Sequence, residues 1–221
     1  MKKRNAKTTL SDFDIDQSYL QFDFTKDFSI IDFRGVLANA LEPLFDDSYI
    51  LEFLQDGLLY TNQGKPLQQF KFSTRNLWFN FGKGTSFKDI YEQTSKILNV
   101  IQKEDVSLKI SRVGWRNLFV YALGRISNTQ LFEYQNLSIG AFTSTRERNF
   151  GKDKMGLRFD VTTATHRENK KMGLLIDTDV FLNGNKDSTR QLRRIYEYYN
   201  SQFSIDVAPI TNVVKMEEDG K

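Results

Sequence analysis

From residue 29 to residue 45 the apolar side chains Phe33, Val36, Leu37, Ala40, Leu41, Leu44 and Phe45 recur at spacings of three and four. That period predicts an amphipathic helix with Ser29 as its N-cap, ended or kinked at Pro43. The period then drops towards two. Stretches 49–54, 58–62, 67–72 and 77–81 read as a four-strand meander, punctuated by Asp56-Gly57 and Asn62-Gln63-Gly64. Within 67–72 and 77–81 large apolar residues partly alternate with polar ones, the mark of an antiparallel sheet with one face on a core and one in water. A helix to cover the buried face follows directly. Ser86 caps it, Asp89 completes the start, and Phe87, Ile90, Tyr91, Ile97, Leu98 and Ile101 line one side to about Lys103.

In the second half, 106–113 and 115–123 predict two strands meeting in a bulge or tight bend at Gly114. A short helix is expected over 129–134, then strands over 139–148, 156–166 and 172–181. A last helix starts at Ser188 and runs to about Phe203 on Leu192, Ile195, Tyr196 and Tyr199. Residues 1–16 and 211–221 lack periodicity and are expected to be flexible tails, leaving 17–210 as a single domain with no linker composition inside it. Strand runs broken by isolated helices predict an α+β fold: a largely antiparallel sheet of about eight or more strands with three main helices packed on it. No internal sequence repeat is visible, although two structurally similar halves are compatible with the pattern.

Composition narrows the chemistry. Aromatic residues make up 14% of the 221 positions, 19 of them Phe, so an aromatic strand core is expected. The chain has no cysteine, which excludes disulfides, thiolate nucleophiles and sulfur-ligated zinc, and suits the cytoplasm. A single histidine, His166, excludes mechanisms and metal sites that need two. No apolar run approaches the ~18 residues of a membrane span, so no membrane partner is expected; no complete catalytic signature is present, and no cofactor is expected. The formal charge of +3 falls short of the balance of a dedicated nucleic-acid module.

Asp177 and Asp179, two apart on one expected strand, would point to one face, with Asp160 as a neighbour. Such carboxylates could share a divalent cation, or could simply solubilise an edge strand. Gly82-Lys83-Gly84-Thr85-Ser86 opens a helix without Walker A spacing and reads as a strand-to-helix turn. Arginines gather in the second half, at 112, 116, 125, 146, 148, 158, 167, 190, 193 and 194. Arg146, Arg148 and Arg158 on one sheet face would suit a nucleic-acid backbone or an acidic partner. The alternative is cross-strand pairing with Glu147, Asp160 and Glu168. Arg112 and Arg116 face one side if their strand is unbroken, and pairing with Asp177 or Asp179 would then fix the fold.

The segment Ile110-Ser-Arg-Val-Gly-Trp-Arg-Asn117, the later Leu175-Ile-Asp-Thr-Asp179 and the helix ending Tyr199-Asn-Ser-Gln-Phe203 resemble a sporadically distributed bacterial family of uncharacterised proteins. Arg112, Gly114, Arg116, Asn117, Asp177 and Phe203 are the matching positions, over about residues 20–210. The resemblance implies no established activity. The family's patchy distribution suggests a mobile-element role such as phage defence or a toxin–antitoxin locus. Three readings follow: a non-catalytic interaction or accessory protein, with a protein partner and homo-oligomerisation; a nucleic-acid binder or metal-dependent nuclease using an arginine-rich face; or a chaperone-like binder of unfolded chains.

Overall fold

The structure is a computed structural model and describes residues 14–104, 108–122, 133–134, 137–138, 141–165, 172–184 and 187–207. Its organising strand lies outside the elements that the apolar period predicts. In Tyr19-Leu-Gln-Phe-Asp-Phe24 polar and apolar residues alternate, and strand β1 (Asp14–Phe24) buries Leu20, Phe22 and Phe24 on one face. The strand begins inside the expected N-terminal tail and leads to helix α1 (Ser29–Leu41).

The expected meander follows as β2 (Tyr49–Leu54), β3 (Gly57–Asn62), β4 (Gln69–Ser73) and β5 (Asn76–Phe81), and then α2 (Phe87–Lys103). The second half contributes β6 (Ile110–Ala122), a small hairpin β7 (Glu133–Tyr134) and β8 (Leu137–Ser138), and three long strands: β9 (Ala141–Phe150), β10 (Asp153–Thr165) and β11 (Met172–Asn183). Helix α3 (Ser188–Ser201) follows them. All pairings are antiparallel, in the order β2-β3-β4-β5-β1-β6-β11-β10-β9. The fold is α+β, a nine-stranded antiparallel sheet with three long helices.

The order around the centre is symmetric. From β1 the sheet runs outward through β5, β4 and β3; from β6 it runs outward through β11, β10 and β9; in each half a helix follows the strand next to the centre. The two halves meet only where β1 pairs with β6 within the sheet. One transverse row takes a residue from every strand: Leu51, Tyr60, Phe70, Phe79, Leu20, Trp115, Val180, Leu157 and Arg146. This row faces the helices. Tyr60 Oη donates to the Ala38 carbonyl of α1, and the Trp115 ring lies against Phe87 of α2 and Tyr199 of α3.

The centre of the core is polar as well as aromatic. Trp115 is fully buried, and its indole N–H donates to Ser18 Oγ at 2.7 Å and Asn117 Oδ1 at 3.1 Å. Tyr199 Oη donates to the Trp115 carbonyl at 2.9 Å and lies 3.1 Å from Thr178 Oγ1. These bonds satisfy groups whose burial would otherwise be costly.

Several expectations are corrected. Residues 110–122 form one strand without a break at Gly114, because Gly114 is in register with Gln21 on one side and Phe181 on the other. Ser29 is the first helical residue, not the cap; Asp27 accepts its N–H and hydroxyl. Helix α1 buries Ile30, Leu37, Ala38 and Leu41 and leaves Phe33 and Val36 exposed. In the helix expected at 129–134, residues 133–134 are strand β7 and 129–132 lie outside the described residues. Strand β11, taken as an edge in the solubilising reading, lies between β6 and β10. The start of α2 is as expected: Ser86 Oγ accepts from Asp89 N and donates to its carboxylate. Among the described residues no helix is long and apolar enough to cross a membrane.

Burial holds three phenols above their ordinary pKa. Desolvation is the main cause for Tyr60, Tyr198 and Tyr199, assisted by Glu42 at Tyr60, pushed up to about 12, and by Asp206 at Tyr198. A phenol raised in the folded state contributes stability below its unfolded value of 10.0 and loses it as pH climbs through the folded value. Of the nine tyrosines, these three are expected to give phenolate absorbance only with cooperative alkaline unfolding. Their titration in the still-folded protein would contradict the packing described. Tyr199→Phe is expected to cost about 1–3 kcal/mol in urea denaturation, because it leaves buried acceptors unmet.

Candidate functional site

No described helix covers the other face of the sheet, and its chemistry follows from the same register. One open-face row reads Ile50, Thr61, Gln69, Asn80, Tyr19, Arg116, Asp179, Arg158 and Thr145; the next reads Glu52, Leu59, Lys71, Trp78, Gln21, Gly114, Phe181, Gly156 and Glu147. Four of the expected arginine and aspartate positions, Arg112, Arg116, Asp177 and Asp179, therefore meet here, with Arg158 one strand further out.

Each arginine on this face is held by a carboxylate. Arg116 grips Asp177 with two nitrogens, Nε donating to Oδ1 at 2.9 Å and Nη2 to Oδ2. Arg112 Nη2 donates to Asp179 Oδ2 at 2.8 Å, and its Nη1 lies 3.6 Å from Asp23. Arg158 pairs with Asp160 at 2.8 Å. Desolvation lifts the Asp179 carboxyl above the usual range, opposed by the Arg112 and Arg116 charges. Asp160, Asp177 and Asp179 do share one face, but each has an arginine as its partner. Among the described residues, no three His, Cys, Asp or Glu side chains gather to hold a metal.

Two glycines shape this surface. A Cβ at Gly114 would stand 2.8 Å from Arg112 Nη1, so the glycine lets the guanidinium lie across the strand. A Cβ at Gly156 would be 2.1 Å from the Phe181 ring, which lies flat over that glycine while Arg112 stacks on it at 4.8 Å. With no side chain at Gly114, a shallow groove of about 480 Å³ opens at the junction of the halves, lined by Tyr19, Gln21, Trp78, Arg112, Arg116, Leu118 and Asp179. Tyr19 and Trp78 stack at 6.2 Å along one wall. Arg116, 54% exposed, presents the unused edge of its guanidinium on the other. The groove thus offers apolar ring faces, an amide and oriented N–H donors.

The remaining candidates lie elsewhere. Asn117 is buried on the helix side as an acceptor for Trp115. Arg146 and Arg148 also project to the helix side, because Arg158 pairs with Thr145 and the parity of β9 places 146 and 148 opposite that face. They converge on Asp206, which also accepts from Tyr198 Oη at 2.8 Å, and fasten the helical segment 203–207 that follows α3 to the sheet. The shared face expected for Arg146, Arg148 and Arg158 is therefore not formed. Arg193 and Arg194 pair with Glu197, and Arg194 also with Asp153. Residues 82–86 form a strand-to-helix turn with Gly84 at φ +83°. Arg125, His166, Arg167 and Glu168 lie outside the described residues. Tyr19, Gln21 and Trp78 were missed as site residues; the alternation of residues 19–24 was the signal that placed two of them.

Gly156→Ala is expected to destabilise the protein by about 1–3 kcal/mol, because the ring above it has to move. Arg158→Ala, which breaks a half-exposed pair, is expected to stay within about 1 kcal/mol. Urea denaturation of both separates the effects, and equal costs would refute the packing of Phe181 on Gly156.

No family model matches the chain and no curated protein matches it, so the reading of this face rests on its own geometry.

Proposed function

We propose that this protein is a non-catalytic interaction subunit that binds a protein partner on the helix-free sheet face, centred on the groove between β1 and β6. The observation that carries this reading is the charge compensation of the face. Arg112, Arg116 and Arg158 each already have a carboxylate partner at 2.9 Å or closer. A nucleic-acid backbone gains affinity by neutralising phosphates with free cations, and here it would compete with Asp177, Asp179 and Asp160. A polypeptide needs no net positive field. It can use the Tyr19–Trp78 wall, the Gln21 amide and the free edge of Arg116, the aromatic and arginine chemistry that anchors protein interfaces. The absence of cysteine is compatible with work in the cytoplasm. The patchy distribution of the family it resembles supports an accessory role in a phage-defence or toxin–antitoxin system.

The test is affinity capture of the tagged protein from the cells that make it, with and without nuclease, beside Trp78→Ala and Arg116→Glu. A stoichiometric protein that survives nuclease and is lost from both variants is the expected result. Both substitutions lie on the open face; Trp78→Ala removes a half-buried ring and Arg116→Glu sets a third carboxylate beside Asp177 and Asp179, so thermal unfolding must first show each variant folded. Recovery of nucleic acid alone, or capture indifferent to both substitutions, would overturn the proposal.

A further inference from the structure

The two outer strands of the sheet are treated very differently. Strand β9 exposes Thr143, Thr145, Arg146, Glu147 and Asn149, the charged and polar character that discourages pairing at an edge. Strand β2 is Tyr-Ile-Leu-Glu-Phe-Leu, with Ile50 46% and Phe53 60% exposed and one charge in six residues. Its backbone parity is fixed. Leu54 pairs with Gly57 across a two-residue turn, and the Gln63 N–H donates to the Ser48 carbonyl, so even-numbered residues bond inward to β3. The backbone groups of Leu51 and Phe53 and the Tyr49 carbonyl therefore point away from the sheet.

We infer that β2 is a homodimer edge, pairing antiparallel with β2 of a second copy about a two-fold axis at Leu51. A two-fold interface must be self-complementary, and this register is. It sets Leu51 against Leu51 as a hydrogen-bonded pair. On the helix side Tyr49 meets Phe53 of the second copy, beside the 340 Å³ groove between α1 and β2 that Phe45, Tyr49 and Leu51 help to line. On the open side Glu52 meets Ile50, so like charges are not opposed. A pairing centred on Glu52 would set carboxylate against carboxylate and would put inward-bonded backbone groups together. At its ends the register sets Ser48 opposite Leu54, whose carbonyl accepts from Arg34, and Asp46 opposite Asp56, whose carboxylate is paired with Lys71.

The test combines mass with a register-specific cross-link. In sedimentation the full chain is expected at twice its 25.8 kDa mass. Phe53→Lys, at an exposed position, is expected to halve the mass while the chain still unfolds cooperatively, at a melting temperature lowered only by the lost dimer linkage. The chain contains no cysteine, so Leu51→Cys introduces a single thiol. Opposite a copy of itself, with Cα atoms about 5.5 Å apart, it lies within disulfide reach. Mild oxidation is expected to cross-link Leu51→Cys efficiently and Glu52→Cys poorly. A wild-type monomer at every concentration, a dimer that survives Phe53→Lys, or preferential cross-linking at position 52 would each overturn the proposal.

Discussion

The antiparallel ladder between β1 and β6 is the constraint on which the rest of the structure depends. It is the only place within the sheet where the two halves are joined. Its register sets Leu20 against Trp115 towards the helices and Tyr19 against Arg116 towards the open side. A slip of one residue would exchange the faces, driving arginines into the core and an indole into water. The Trp115 N–H bond to Ser18 crosses the same junction and so ties register to side-chain chemistry. The groove inherits its location from this ladder, because Gly114 falls opposite Gln21 and leaves a gap on the open side.

Around that gap, ion pairs act on orientation more than on stability. Pairs as exposed as Arg116–Asp177 and Arg158–Asp160 contribute at most about 1 kcal/mol each. Their geometric effect is larger: a guanidinium gripped at two nitrogens has one direction left in which to offer its remaining donors. The glycines complete this arrangement. Arg112 lies flat because position 114 has no Cβ, and Phe181 lies flat because position 156 has none. The face is thereby pre-organised and close to charge balance, and such a surface selects a partner by shape and hydrogen bonding rather than by long-range attraction.

How much of this was legible depended on how locally each feature is encoded. Helix α2 reads directly because its cap, its acidic first turn and its apolar stripe are all consecutive. The strands β2 to β5 read well because tight turns bound them. Strand β1 was illegible as an element because no turn signal precedes it, and its partners lie some sixty and ninety residues away. Gly114 mimicked a bend, since a glycine that accommodates a neighbouring side chain looks the same in sequence as one that breaks a strand. The exposure of Phe33 and Val36 reverses a periodicity argument, because residues 29–45 offered more apolar positions than one helix face can bury. The separation of Arg146 and Arg148 from Arg158 needed the register of β9 on β10, which composition does not carry.

The same topology makes the two proposed binding surfaces, the groove and the β2 edge, geometrically compatible. Residues opposite one another in an antiparallel ladder share a face, so pairing β2 with a second β2 would leave both helix-free faces on the same side of one continuous sheet. Five strands, β1, β5, β4, β3 and β2, lie between each groove and the dimer axis. At about 4.8 Å per strand the two grooves would sit roughly 48 Å apart before twist is taken into account. A partner that is itself two-fold, or that carries two docking segments able to span that distance, would bind such a sheet with the gain of an intramolecular second contact. A monomer with the same groove would hold that partner far more weakly. On the proposed dimer the apolar β2 edge and the charge-balanced face would act together: modest contacts at each groove would become strong when two are presented at once.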